Sequence, residues 1–201
     1  CKKKYGMDYL HKPFFTQQLG VFSSSKLSDY DVDEFLSLIP KKFKLIEINL
    51  NSKNESVHTD FERTKSTNHE LDLNADYETL YKAFSENTLR NLKKAGKENL
   101  RIEKNIPVEE IINLFRTNRG KDIDKITDAH YAAFRNLVRY CEGIKAAETC
   151  GVFTAENKLC AGTVFVSSNK RSVFIFSGLS EEGKQKGAMF FLFNEFIREH
   201  A

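Results

Sequence analysis

The sequence predicts an α/β protein with a mixed, largely antiparallel sheet flanked by helices. Short segments in which apolar and polar residues alternate are typical of strands. They are interspersed with segments whose apolar residues recur every three or four positions, as in helices. In the second half these segments follow in the order strand, helix, helix, strand, strand, strand, helix. The last three strands are joined by short connections, which predicts an antiparallel meander.

The composition is that of a chain with a packed core. Of its 201 residues, 40% are hydrophobic and 29% are charged, and 17 Phe against no Trp make phenylalanine the main core filler. That length fits one large domain or two small ones. The net charge of +3 is too balanced to imply nucleic-acid binding by bulk electrostatics, so we expect no DNA partner.

The four cysteines form no recognisable metal or disulfide pattern. They are Cys1, Cys141, Cys150 and Cys160, with no CxxC spacing and no histidine at ligand spacing, so we expect no metal site. We expect reduced thiols in the core, which favours a cytoplasmic location. The sequence shows neither a signal peptide nor an apolar run long enough to cross a bilayer, so we expect no membrane insertion.

The N-terminal part is predicted to hold one helix among short strands. Four apolar residues recur at helical spacing before Pro40, which ends the helix. They are Val32, Phe35, Leu36 and Ile39. Residues 46–50 alternate between apolar and polar, as in a half-buried strand, and segments 57–63 and 69–73 are predicted as further strands.

Two short helices are predicted next, at residues 77–84 and from Ser85 onward. The second helix carries four cations, which are Arg90, Lys93, Lys94 and Lys97. These cations form either an anion site, for a phosphorylated donor, a nucleotide-linked acceptor or tRNA, or an ordinary solvated helix face. No aromatic residue interleaves them, which disfavours stacking of single-stranded bases.

The pattern is most regular in the second half of the chain. A strand at 100–103 precedes a helix that begins at Pro107, and a long helix follows the polar connection 116–125. The predicted core residues of the long helix are Phe134, Leu137, Val138, Cys141 and Ile144. The meander strands are 151–154, 160–166 and 172–177, and the charged loop 180–186 leads into a last helix. The predicted core face of the last helix consists of Met189, Leu192, Phe193, Phe196 and Ile197.

The turn before the last helix reads EGKQKGAM at residues 182–189. Together with the order of elements, it resembles the GNAT superfamily of acyltransferases. In that family a loop of pattern R/Q-x-x-G-x-G/A follows the fourth strand and receives the pyrophosphate of coenzyme A. Lys184 takes the first position of the pattern, Gly187 the central glycine and Met189 the last. The resemblance implies a donor-binding loop made of Gly183, Lys184, Gln185, Lys186, Gly187 and Ala188.

Further segments resemble FemAB-like acyltransferases. They read PFFTQQLG at 13–20, HELDL at 69–73, YE at 77–78 and SENTLRNLKKAGK at 85–97. The resemblance implies two GNAT-like units, at 1–75 and 99–201, joined by a basic helical connector at 76–98. It also implies that the second unit is incomplete, with a further strand and a later Tyr or Asp beyond Ala201.

The function that the resemblance implies is N-acyl transfer from a CoA- or tRNA-linked donor to an amine acceptor. Acyl-CoA or aminoacyl-tRNA would be a co-substrate rather than a permanently bound cofactor, and tRNA is an implied partner. The alternative is a catalytically silent GNAT-like module for binding or scaffolding.

No catalytic residue is assigned from the sequence. Acyl transfer to an amine needs a base, and GNAT enzymes often supply a carboxylate on or near the fourth strand. Strand 172–177 has none, so Glu148, Glu181 and Glu182 are considered by proximity alone. The five histidines lack the spacing of a triad, and we expect them to be structural.

Overall fold

The computed structural model describes residues 2–4, 6–57, 60–123 and 125–201. The chain is α/β and divides into two compact units, Cys1–Glu70 and Leu71–Ala201. Each unit has a sheet of its own, with three strands in the first and four in the second. The strands of the first unit therefore form a sheet separate from that of the second unit. The helices of segment 76–98 lie within the second unit.

The first unit has one helix and a mixed sheet. Its elements are β1 (Lys2–Lys4), β2 (Met7–His11), α1 (Asp29–Ser37) and β3 (Phe43–Glu47). β2 pairs with β1 in antiparallel and with β3 in parallel orientation, so α1 lies in the crossover between parallel strands. The Ser28 side chain accepts from the Asp31 amide, and the Asp31 carboxylate accepts from Ser28 in return. This capping box fixes where α1 begins, and its hydrogen bonds hold the pKa of Asp31 below its usual value.

Several predictions for the first unit are wrong in detail. The strand predicted at 46–50 ends at Glu47, and Leu50 instead makes an isolated bridge to Leu19. Segment 69–73 contains no strand, nor do the described residues of 57–63, where residues 58 and 59 lie outside the description. A small unit covers only one side of α1, so Val32 is buried whereas Phe35 is 58% exposed.

The second unit follows the predicted order of elements, preceded by two short helices. The helices are α2 (Tyr77–Lys82), α3 (Glu86–Ala95), α4 (Val108–Thr117), α5 (Asp128–Gly143), α6 (Glu181–Lys186) and α7 (Ala188–His200). The strands are β4 (Arg101–Lys104), β5 (Ala147–Phe153), β6 (Leu159–Ser168) and β7 (Arg171–Leu179), and a 3-10 turn spans Arg119–Asp122. The strands pair in chain order, all antiparallel, so the predicted meander is confirmed.

Three glycines lie opposite one another in the middle of this sheet. Gly151 pairs with Gly162, and Gly162 pairs with Gly178. A Cβ atom at Gly178 would lie 2.7 Å from the carbonyl oxygen of Ile111 and 2.9 Å from the amide of Phe115, both in α4. The backbone of α4 therefore lies directly on the sheet, at a distance that only glycine permits.

The opposite face of the sheet is covered by α7. Phe165 of β6 points away from α4, because neighbouring strand residues alternate between faces, and it stacks on Phe196 with ring centroids 3.8 Å apart. Leu192 and Ala188 are buried in the same cluster, against which Met189 and Phe193 pack. This confirms the predicted core face of the last helix at Leu192 and Phe196.

The prediction for the long helix is correct on one side only. Phe134, Val138 and Cys141 of α5 are buried, as expected. Leu137 and Ile144 were expected in the core but are 45% and 58% exposed. At about 100° of rotation per residue Leu137 lies about 100° from Val138, at the edge of the buried face, and Ile144 follows Gly143, the last residue of the helix.

The close contact between Gly178 and α4 predicts that two Gly→Ala substitutions have different effects on the stability of the protein. Gly178→Ala should lower the free energy of unfolding by about 2 kcal/mol, because the new Cβ meets backbone atoms of α4 that cannot move alone. Gly143→Ala is the matched control, since a Cβ there meets no atom within 4 Å, and it should raise stability by about 0.5 kcal/mol. Urea unfolding followed by circular dichroism measures both. Equal effects would contradict close packing of α4 on the sheet.

Candidate functional site

The segment predicted as the donor loop is mostly helical. Residues 180–186 were expected to form a charged loop, but Glu181–Lys186 is the helix α6. The Ser180 hydroxyl accepts from the Gly183 amide at 3.0 Å, and two glutamates occupy the first turn, where they complement the helix dipole. Gly187, with φ of +71°, ends α6 and precedes α7.

Both glycines of the segment are accounted for by packing. A Cβ at Gly183 would lie 2.2 Å from the Cys160 carbonyl oxygen, so α6 rests on the backbone of β6. At Gly187 a Cβ would lie 3.1 Å from the Asn91 carbonyl oxygen of α3, and the left-handed backbone conformation itself favours glycine. Their presence in the sequence is therefore explained without a phosphate.

The amides at the start of α7 are those of residues 188–190, of which the implied donor loop 183–188 includes Ala188 alone. The Gly187 amide donates to carbonyl oxygens of α6, and Gln185 and Lys186 lie inside that helix. The first hydrogen bond of α7 runs from Phe191 to the Gly187 carbonyl oxygen at 3.1 Å. The amides of Ala188, Met189 and Phe190 precede it, and among the described residues no side chain caps this helix. Met189 and Phe190 were not in the predicted set.

The two lysines of the segment differ in their surroundings. Lys186 lies 3.1 Å from Glu98 and 3.9 Å from Glu182, and the hydrogen bond to Glu98 raises its pKa. Lys184 is 71% exposed and reaches only Glu181, at 3.9 Å. Lys184 is consequently the cation of α6 that is best placed to meet a ligand in solvent.

One of the three carboxylates considered from the sequence lines a pocket. This pocket, of about 280 Å³, lies between α7 and the strands β4 and β5, and we call it the α7 pocket. Its lining residues are Ile102, Lys104, Glu148, Cys150, Leu192, Glu195, Phe196 and Glu199. Glu181 and Glu182 are on α6 instead, where they pair with lysines.

Glu148 is engaged by neighbours on three sides. Its carboxylate lies 3.4 Å from the Lys104 ammonium and 3.7 Å from the His200 ring, and it accepts from the Cys150 thiol at 3.2 Å. Lys104 also contacts Glu199 at 2.5 Å, and that hydrogen bond raises the pKa of the lysine. These contacts account for Glu148 structurally, so we assign it no catalytic role.

Two buried cysteines of the second unit, Cys150 and Cys160, are not nucleophiles. Burial raises the pKa of Cys150 to about 12, and the adjacent Glu148 acts in the same direction. Burial likewise raises the pKa of Cys160 to about 11. Both thiols therefore stay protonated at neutral pH, which makes them core residues.

The predicted anion-site cations lie on the outside of α3 and just beyond it, because the helix ends at Ala95 and does not reach Lys97 as predicted. Ser85 caps this helix, and Ala95 is buried on the side that faces Gly187. Arg90, Lys93, Lys94 and Lys97 are all exposed, and none of them lines the α7 pocket. The anion site therefore stays a prediction.

Metal clusters and membrane-spanning helices are absent from residues 2–4, 6–57, 60–123 and 125–201. In these ranges no group of three or more His, Cys, Asp or Glu side chains could hold a metal ion. No helix in them is long and apolar enough to span a bilayer. The site is therefore defined by the α6–α7 junction, the α7 pocket and the cations of α3.

Burial of the thiols predicts slow alkylation. At pH 8, iodoacetamide should modify Cys150 and Cys160 at least a hundredfold more slowly in the native chain than in urea, because thiolate is the reactive form. Because the pKa of Cys150 is raised in the folded state, the contribution of this protonated thiol to the free energy of unfolding is full below the ordinary pKa of about 9. It declines as the pH rises toward the folded-state pKa of about 12. Peptide mapping by mass spectrometry resolves each cysteine. Rapid modification of native Cys150 would contradict a closed floor of the α7 pocket.

Comparisons with known proteins add no assignment. No protein-family model matches this chain, and no curated protein matches it either. What can be said of its function therefore rests on the resemblance carried by its motifs and on the geometry of the second unit.

Proposed function

We propose that this chain is an N-acyltransferase domain that binds the phosphate groups of its acyl donor at the N-terminus of α7. The observation that carries the proposal is the start of this helix, which no side chain caps and which follows the four-stranded antiparallel sheet after the short helix α6. The reaction would transfer an acyl or aminoacyl group from a CoA- or tRNA-linked donor to an amine.

The physical basis is the set of amides at the start of α7. Those of Ala188, Met189 and Phe190 have no partner within the helix, and the helix dipole adds about half a positive charge at this end. Gly187, the residue before them, has no side chain of its own to cover them. Lys184 adds a mobile cation one turn earlier, so a pyrophosphate would find amides and an ammonium together.

Rigid placement of these amides also supports the proposal. Gly187 is buried against α3, and Ala188 is buried in the core of the second unit. Donors that are held in place before a ligand arrives lose little entropy on binding, which favours affinity. The unpaired thiols Cys141, Cys150 and Cys160 agree with the cytoplasm as the compartment that we propose.

A silent binding or scaffold module is the second candidate, and specific observations favour it. The glycines of the motif are explained by contacts with Cys160 and Asn91, and Lys186 is already paired with Glu98. β7 carries no carboxylate, and Glu148 is occupied by its neighbours. This candidate predicts no affinity for either donor.

Calorimetry with CoA separates these candidates. The wild-type chain should bind CoA, and Lys184→Glu should weaken binding about tenfold by like-charge repulsion, equivalent to about 1.4 kcal/mol. Lys170→Glu is the matched control, because it reverses an exposed lysine at the other end of β7, roughly 30 Å away. Gly187 substitutions are unsuitable because they disturb packing with α3.

The other outcomes of this experiment each have a different meaning. Weakening by both reversals would indicate general charge attraction and contradict a site at α7. If CoA does not bind but aminoacyl-tRNA does, with a loss on reversing Lys93 and Lys94, the donor is tRNA-linked. If neither binds, the scaffold candidate takes first place.

A further inference from the structure

The first unit contains a pocket of about 370 Å³ at the ends of its two parallel strands. His11 closes β2 and Glu47 closes β3, and both line the pocket together with residues of α1. In open α/β sheets ligands bind in the crevice outside the carboxyl ends of parallel strands. The volume also falls in the range of small-molecule sites. We call this cavity the β2–β3 pocket.

Its walls are apolar and come from four separate segments of the unit, residues 10–12, 19–21, 32–39 and 47–50. The apolar lining residues are Leu10, Leu19, Val21, Val32, Phe35, Leu36, Ile39, Ile48 and Leu50. Of these only Val32 is fully buried, and the others keep part of their surface exposed. Apolar surface of this extent favours a ligand with an apolar body, since burial gives about 25 cal/mol per Å².

One wall is held rigidly by an asparagine. The Asn54 side chain accepts from the Val21 amide at 2.7 Å and donates to the Val21 carbonyl oxygen at 3.1 Å. Gly20 has φ of +107°, and a Cβ there would lie 2.1 Å from the Asn54 amide oxygen. The segment that lines the pocket is thus fixed by bonds across 33 residues of sequence, and glycine is required for them.

The polar side chains of the pocket are gathered at one end. They are His11, Lys12 and Glu47, and the last two form an ion pair. His11 Nδ1 lies 2.7 Å from Glu47 Oε2, and the Lys12 ammonium lies 4.0 Å from Glu47 Oε1. Lys12 and Glu47 balance each other. In the tautomer whose Nδ1–H donates to Glu47, the second ring nitrogen of His11, Nε2, is a hydrogen-bond acceptor.

We propose that the β2–β3 pocket binds a small uncharged amphiphile, an aliphatic or aromatic alcohol or amide. Its apolar body fills the space beside α1, and its O–H or N–H donates to His11 Nε2. A carboxylate is disfavoured because it would face Glu47 and an acceptor nitrogen. This site lies within the first unit and is independent of donor binding in the second.

A homologous series of ligands tests the chemistry directly. We would titrate the wild-type chain with straight-chain alcohols from 1-butanol to 1-octanol and with the carboxylates of equal length, followed by ligand-observed NMR. Affinity for the alcohols should rise about threefold to fourfold per methylene until the pocket is full. Each alcohol should bind more tightly than its matched carboxylate.

Three variants locate the site. Leu36 is half-buried on α1 and lines the pocket. The larger side chain in Leu36→Trp should fill part of the pocket and reduce alcohol affinity at least tenfold. His11→Phe keeps a ring but removes the acceptor, so the preference for alcohols over carboxylates should shrink. Leu45→Trp is the control, because Leu45 is 61% exposed on β3 and does not line the pocket.

The proposal is overturned by any of four results. These are no binding of any alcohol, tighter binding of the carboxylates, no gain per methylene, or equal losses in the Leu36 and Leu45 variants. Should Leu36→Trp fail to fold, as judged by circular dichroism, the His11→Phe comparison decides alone.

Discussion

Close contact between the backbone of α4 and the middle of the four-stranded sheet determines how the second unit is built. It depends on Gly178, against which the backbone of α4 packs, and on Gly162, against which the Ile111 side chain of α4 packs. With α4 this close, Phe176 fits between Phe115 of α4 and Phe134 of α5, at ring distances of 4.9 Å and 4.7 Å. Both long helices of this face are thereby fixed on the sheet. The opposite face remains for α7, whose side chains form the other half of the core.

The position of α7 follows from that arrangement and connects the fold to the proposed function. Leu192 and Phe196 anchor the helix on the sheet, while Gly187 brings its start against α3. A helix held at both places presents its first amides in a fixed direction, and no side chain among the described residues caps them. The basic surface of α3 is carried by the same contact, since Ala95 packs beside Gly187. The donor site that we propose therefore depends on core packing rather than on a flexible loop.

The sequence predicted the parts of the fold that rest on local periodicity. The meander and the core face of α7 follow from repeated patterns, because alternation and helical spacing report burial directly. α6 was mistaken for a loop because six residues with an internal glycine have no apolar period, although Ser180 is a capping signal that could have revealed it. The exposed side of α5 could not be predicted, since apolar Leu137 fits a core face equally well. The Asn54 contacts of the β2–β3 pocket depend on residues 33 positions apart and left no local signal.

The most direct test of the account is whether CoA binds at the amides of α7. In a nitrogen-15-labelled chain titrated with CoA, the NMR signals of Ala188, Met189 and Phe190 should shift together and saturate at one dissociation constant. The start of α4 is the internal reference, because Pro107 gives it no side-chain cap either. Glu109 and Glu110 in its first turn repel an anion, so the signals of Val108 and Glu109 should stay in place. Saturation that leaves the three α7 amides unmoved, or that moves both helix starts alike, would contradict a donor site at α7.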